Sequence, residues 1–171
     1  MDVALRRPSG TFYRIGPDRS VTAQFDNITV PNSTCFSPDD RTLYFADTPR
    51  HAIWAFDFDI DAGTISNRRV FADLTDRKGL PDGSCIDAQG YLWNAEYAGR
   101  RLTRYAPDGR VDRTIELPVT NPTCCCFGGD DLATLYVTSA AQRMPWPAPI
   151  EGALLALDVG VRGLPEAAFG G

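Results

Sequence analysis

Histidine is almost absent: His51 is the single one among 171 residues. That scarcity removes several chemistries at once. A His-Glu-x-x-His metalloprotease helix needs two histidines. A Ser-His-Asp triad would have to use His51, and no Gly-x-Ser-x-Gly elbow accompanies it. The five cysteines, Cys35, Cys85, Cys124, Cys125 and Cys126, form no Cys-x-x-Cys pair, so a Cys/His zinc site of the usual kind is excluded. An odd number with three adjacent is no disulfide framework either. No apolar run approaches the roughly 18 residues of a membrane span. Arg6 and Arg7 have no apolar stretch behind them, unlike a secretory signal, so the cytoplasm is the expected location. A cationic surplus is also missing. The net charge is −5, which disfavours nucleic acid and anionic membranes as partners and leaves a cation or a neutral small molecule. Helical patterning is weak, with no dozen-residue window of sustained i, i+3, i+4 apolar spacing.

What is present is a soluble-domain composition, 43% apolar and 23% charged, consistent with one domain over residues 1–171. Short runs of Tyr, Phe, Val, Ile, Leu and Trp stand between Pro, Asp and Gly clusters, an all-β pattern. The runs repeat. "PNSTCFSPDDRTLYFAD" from Pro31, "PDGSCIDAQGYLWNAE" from Pro81 and "PTCCCFGGDDLATLYVTSA" from Pro122 each open on proline. Each carries cysteine four residues later (Cys35, Cys85, Cys126), turns, and enters an aromatic-aliphatic strand. A further strand follows each: "AIWAFDFD", "RLTRYAPDG" and "ALLALDVG". A fourth copy of that strand, "GTFYRIGPDRSV" from Gly10, stands first and lacks its leading half. A period of about 40–50 residues holding four short strands predicts blades of a β-propeller, each a four-stranded antiparallel sheet. A β-sandwich would share the composition but not the residue-level alignment. Three blades and about half of a fourth make an open or partial propeller. Its uncovered edge and face are a route to self-association.

Repeated positions in successive blades surround one axis. The residue after the repeated proline is Asn32, then Asp82, then Thr123, which predicts three oxygen-bearing side chains converging at one end of the channel. Hard oxygen donors without His or Cys suit Ca²⁺, Mg²⁺ or Mn²⁺. The plain alternative is that all three cap turns at strand starts. "DFDIDAG", Asp57 to Gly63, begins like an EF-hand loop but places Ala62 where the loop needs Gly and Arg68 where it needs an acid, so a turn with solvated carboxylates is predicted there. "APDG", Ala106 to Gly109, reads as a hairpin turn. Asp47 and Glu96 hold matching places at strand ends, either facing the channel or serving as strand-end polar residues. Trp54 and Trp93 read as packing, and Cys124 to Cys126 as small buried apolar residues.

The same stretches resemble the senescence-marker-protein/regucalcin/gluconolactonase family. "DFDIDAGTISNRRVFADL", "GLPDGSCIDAQGYLWNAEYAGRRLTRYAPDGRV" and "ELPVTNPTCCCFGGDDLATLYVTSA" carry the likeness most specifically, and it covers nearly the whole chain. The resemblance implies a six-bladed propeller holding one divalent ion (Ca²⁺, Zn²⁺ or Mn²⁺) at the end of its channel and hydrolysing sugar lactones such as gluconolactone. It implies Asn32 and Asp82 as metal ligands, Asp82 also as the catalytic base, and Thr123 as a residue lining the site. The chain departs from the family in three ways. The usual Asn-Gly is Asn32-Ser33. An early metal-binding Glu, and the Arg and Asn that meet the lactone, have no counterpart. Met1 matches an internal Met, so the chain resembles the C-terminal portion, without roughly the first two and a half blades; a truncated gene, a mis-assigned start and a true half-propeller all account for that. Lactonase activity impaired by the missing part is therefore expected. The alternative is a non-catalytic calcium- or metal-binding or protein-interaction propeller fragment.

Overall fold

The computed structural model describes residues 7–142 and 144–168; the Met1 correspondence lies outside them. The short β-branched and aromatic runs become strands in four antiparallel sheets. First comes a pair, β1 (Gly10–Ile15) and β2 (Val21–Ile28). Two full four-stranded blades follow in simple up-and-down order: β3 (Pro31–Phe36), β4 (Thr42–Asp47), β5 (Ala52–Asp59) and β6 (Thr64–Asp73), then β7 (Leu80–Ile86), β8 (Leu92–Tyr97), β9 (Arg101–Tyr105) and β10 (Val111–Glu116). The last sheet has three strands, β11 (Pro122–Gly128), β12 (Thr134–Ser139) and β13 (Leu155–Asp158). One 3₁₀ turn, Thr48–Arg50, is the helical content among the described residues, and none of them forms a helix long and apolar enough to cross a membrane.

The repeat is therefore a structural one. Each leading proline opens a first strand, and β7 lies between β3 and β11. The pair β1–β2 corresponds to the outer strands β5–β6 and β9–β10, as the missing leading half predicted. The "DFDIDAG" segment is the β5–β6 turn, where the Asp59 carboxylate accepts the amides of Asp61 and Ala62. "APDG" closes the β9–β10 hairpin, with the Gly109 amide on the Ala106 carbonyl at 2.8 Å and Gly109 at φ 84°.

Three apolar clusters fill the three gaps between successive sheets. Phe12, Phe25 and Ile28 meet Leu43, Phe45 and Phe56. Tyr44, Ile53 and Leu74 meet Ile86, Leu92 and Tyr105. Trp93, Leu102 and Leu117 meet Val119, Cys125, Leu135 and Val137. A strand covered on both faces loses its alternation, and one covered on a single face keeps it. Thus β8 is buried along most of its length, whereas β12 buries Leu135 and Val137 and leaves Tyr136 and Thr138 outward. Trp93 packs as anticipated, its indole N–H donating to Asp87 at 2.9 Å.

The same logic corrects the reading of the cysteine run. Cys125 is buried, but Cys124 and Cys126 are exposed. They alternate because they sit on a strand. The equivalents Cys35, Cys85 and Cys126 pair with Tyr44, Trp93 and Tyr136. Cys85 is buried because the third sheet covers it, and among the described residues no further sheet covers the corresponding face at Cys126.

Candidate functional site

The three singled-out positions lie where each first strand carries one extra residue. On β3 the register runs Pro31–Asp47 and Asn32–Ala46, then slips to Cys35–Tyr44. On β7 it runs Pro81–Glu96 and resumes at Ser84–Asn94. On β11 it runs Pro122–Ser139 and resumes at Cys124–Thr138. Each slip is a β-bulge, a device that re-aims side chains. Successive bulges thus bring Asn32-Ser33, Asp82-Gly83 and Thr123 to one level of the propeller.

Asn32 and Asp82 are joined across the blade boundary. The Asn32 amide N–H donates to Thr48 Oγ1 at 2.7 Å, and that hydroxyl donates to the Pro81 carbonyl at 2.8 Å. Beside them, Ser33 Oγ donates to the Asp82 carbonyl at 2.6 Å. With Nδ2 committed to Thr48, the Asn32 carbonyl Oδ1 is left as the free ligand atom. Thr123 stands on the matching bulge, but its hydroxyl shares a 2.7 Å hydrogen bond with Thr138. The β11 side chain that meets the Asp82 turn is Cys124: a Cβ placed on Gly83 would meet Cys124 Sγ at 2.4 Å and its Cα at 2.7 Å.

Asp82 differs from the other acids of the inner strands. Asp47, Asp87 and Glu96 are fully buried, and each carboxylate collects several donors. Asp47 takes the amides of Thr29 and Val30 and the Arg50 guanidinium. Asp87 takes Trp93, Arg104 and two amides. Glu96 takes Arg77, Arg101 and Thr103. Asp47 and Glu96 accordingly pin loops and strands within the blade, the strand-end role and not the channel-facing one. Asp82 is half-buried and has no ion pair among the described residues. Burial raises its carboxyl from 3.8 to about 6, opposed only by the Gly83 amide. Burial also pushes the Cys124 thiol up to about 11, with further contributions from Cys125 and Asp82.

These features fit a hard divalent cation. A half-buried carboxylate without a counter-ion and a free amide oxygen are the ligands such an ion takes. They are few: no group of three or more His, Cys, Asp or Glu among the described residues could hold a metal. Sequence reasoning did not reach Thr48 and Asn94, and it met Ser33 only as a departure at the Asn32 turn and Cys124 only as a packing residue; all four surround these ligands. Their roles depend on cross-strand register, and the bulges that set it are invisible in a linear alignment.

The family model for the SMP-30/gluconolactonase/LRE-like region matches residues 1–141. Regucalcin from Gallus gallus is 39% identical over 173 aligned residues, covering 98% of this chain and 58% of the relative. Human regucalcin is 40% identical over 141 residues, covering 82% of this chain and 47% of the relative. The chain thus spans little more than half the length of the relatives it matches. Among solved structures, a regucalcin from Agrobacterium tumefaciens described as a calcium-binding protein superposes with a TM-score of 0.90 at 35% identity, over 96% of this chain and 57% of that one. A Xanthomonas campestris protein described as a gluconolactonase superposes with a TM-score of 0.65 at 34% identity, over 75% of this chain and 41% of that one.

Proposed function

From the chain's membership of the SMP-30/gluconolactonase/LRE-like family, we propose that it is a portion of a divalent-metal-dependent sugar-lactone hydrolase to which it contributes Asn32 and Asp82. The observation that carries this reading is Asp82, a half-buried carboxylate on the strand bulge beside Asn32 with no cationic partner among the described residues. Ca²⁺, Zn²⁺ and Mn²⁺ are the candidate ions, and such an ion would polarise the lactone carbonyl as a Lewis acid. The chain's own residues then have defined tasks. Asn32 presents a neutral oxygen held in place by Thr48. Asp82 would hold the ion beside Asn32, and its carboxylate would accept a proton from the attacking water. Attack forms the new C–O bond, the ring C–O bond breaks, and the proton that Asp82 accepted passes to the ring oxygen, which leaves as the hydroxyl of the hydroxy acid. Burial alone raises this carboxyl to about 6, and a neighbouring cation would lower it, which favours the ionised form that can accept a proton at neutral pH.

The test is lactone hydrolysis with and without added Ca²⁺, Zn²⁺ or Mn²⁺, for the wild type and Asp82→Ala. Metal-stimulated turnover lost in Asp82→Ala is the expected result; equal, metal-independent rates in both sink the proposal. A second reading, metal binding without catalysis, is favoured by the small number of ligands. Stoichiometric Mn²⁺ binding with no turnover selects it. The exposed Tyr13, Ile15 and Val21 on the first pair of strands fit the proposal of self-association through that edge, which sedimentation would test.

A further inference from the structure

Ser33 stands at φ 55°, in the left-handed region where glycine is the easy choice. It is 2% exposed, so its hydroxyl is used inside the protein. That hydroxyl donates to the Asp82 carbonyl at 2.6 Å and accepts from Ser84 Oγ at 3.0 Å and Asn94 Nδ2 at 3.2 Å. Asn94, fully buried, also directs the same nitrogen at the carbonyls of Asp82 and Gly83, each at 3.3 Å. Those two carbonyls accept only, so Asn94 must turn its nitrogen toward them. Its Oδ1 is then left buried with no partner. The fold tolerates a left-handed serine and an orphaned amide oxygen at one spot. Local rules are broken together where a site needs them broken.

We propose that Ser33 is a positioning residue: its hydroxyl, held by Ser84 and Asn94, ties the Asn32–Ser33 bulge to the Asp82–Gly83 bulge and so sets the spacing of the two metal ligands across the blade boundary. This rests on the metal reading of Asn32 and Asp82. The two ligands stand on different sheets, so their separation is fixed by contacts between blades, and the Ser33–Asp82 bond is adjacent to both. Residues that orient ligands without touching the ion typically change metal affinity 10–100-fold when removed.

Ser33→Gly is the informative change. Glycine relieves the left-handed backbone while deleting the hydroxyl, so the two effects on stability oppose each other. The experiment titrates Mn²⁺ into the chain, follows free Mn²⁺ by electron paramagnetic resonance, and records a thermal melt of each variant. Mn²⁺ affinity weakened about tenfold in Ser33→Gly, with the melting temperature little changed, is the expected result. Unchanged affinity overturns the proposal, as does a fall in melting temperature with affinity intact, which marks a purely structural hydroxyl. If Ser33→Gly fails to fold, Ser84→Ala takes its place, removing one support of Ser33 without touching the turn. A smaller weakening of Mn²⁺ binding supports the proposal and none overturns it. A wild-type chain that binds no Mn²⁺ overturns the metal reading itself, whereas a wild type that binds beside an equally competent Ser33→Gly overturns only the role of Ser33.

Discussion

Asp47 and Glu96 occupy the same register position in successive blades, opposite Pro31 and Pro81, and each is a fully buried acceptor that ties down the segment leading into its blade. Asp47 receives the amides of Thr29 and Val30, just ahead of β3. Glu96 receives Arg77, just ahead of β7, at 2.7 Å. The third sheet has Ser139 at this position, and there the tie comes from Glu151, which accepts the amide and hydroxyl of Thr120. One task is met with three different residues: two are fully buried, and Glu151 is partly buried and comes from outside the strand.

Removing such an acceptor strands its donors. Glu96→Ala leaves Arg77, Arg101 and Thr103 without their common partner, and breaking a buried ion pair from one side costs about 3–5 kcal/mol. Arg77 and Arg101 keep partial access to water (22% and 27% of their side chains), which places the expected loss at the low end. Urea unfolding measures it. A loss under about 1 kcal/mol, the range of surface ion pairs, would show that Glu96 carries no such load.

Gly83→Ala tests the contact between the second and third blades. Gly83 has no left-handed backbone to lose, so the effect is steric. The new Cβ meets Cys124 at Sγ (2.4 Å), Cβ (2.6 Å) and Cα (2.7 Å). Overpacking of this kind costs about 1–3 kcal/mol. Adding Cys124→Ala removes only the sulfur and leaves both carbon contacts, so the double variant is expected to recover less than half the lost stability in urea titrations. Full recovery would show that the sulfur alone was the obstacle.

The blade repeat was legible because its signal is local: proline, cysteine four residues on, an aromatic-aliphatic strand, recurring at Pro31, Pro81 and Pro122. The alignment placed Asn32, Asp82 and Thr123 at the same step after the repeated proline for the same reason, while the bulges at or beside them were not visible in it. It did not separate Asp82, without a counter-ion, from Asp47 and Glu96, which are saturated with donors, since that distinction is made by residues up to 19 positions away such as Arg77. Nor did it separate Cys125 from Cys124 and Cys126. Their burial depends on which sheet face a neighbour covers, and three identical residues in a row carry no phase.

Asp82 should cost the metal-free protein stability. Its carboxyl is raised from 3.8 to about 6, so the folded state binds its proton more tightly than the unfolded chain does. The contribution is fully present below pH 4 and is lost as pH rises through about 6. Two pKa units correspond to about 3 kcal/mol, an upper bound for a half-buried group. Asp82→Asn, measured in chelator, is therefore expected to unfold later than wild type at pH 7.5, with the advantage gone at pH 4. The same variant should lose Mn²⁺ binding, trading function for stability. An Asp82→Asn chain no more stable than wild type at pH 7.5 would mean that the carboxylate is better solvated than its surroundings imply.

Cys124 offers a chemical handle on the same place. Cys124 is an exposed residue, but its sulfur tucks against the Asp82–Gly83 turn and burial there holds the thiol at about 11, so at pH 7.5 it is alkylated roughly a few hundredfold more slowly than a free thiol near 8.5. Raising the pH to 9 should speed the reaction in proportion to the thiolate present. Because Cys124 lies against the Asp82–Gly83 turn while Cys126 faces the uncovered side of the third sheet, adducts at the two positions should have different consequences. A Cys126→Ser chain treated with N-ethylmaleimide at pH 9, with Cys124 occupancy confirmed by peptide mapping, is expected to lose Mn²⁺ binding. A Cys124→Ser chain treated in the same way should keep it. Equal retention in both would place the cation away from the Cys124 side of Asp82 and move the remaining ligands toward Asn32 and β3.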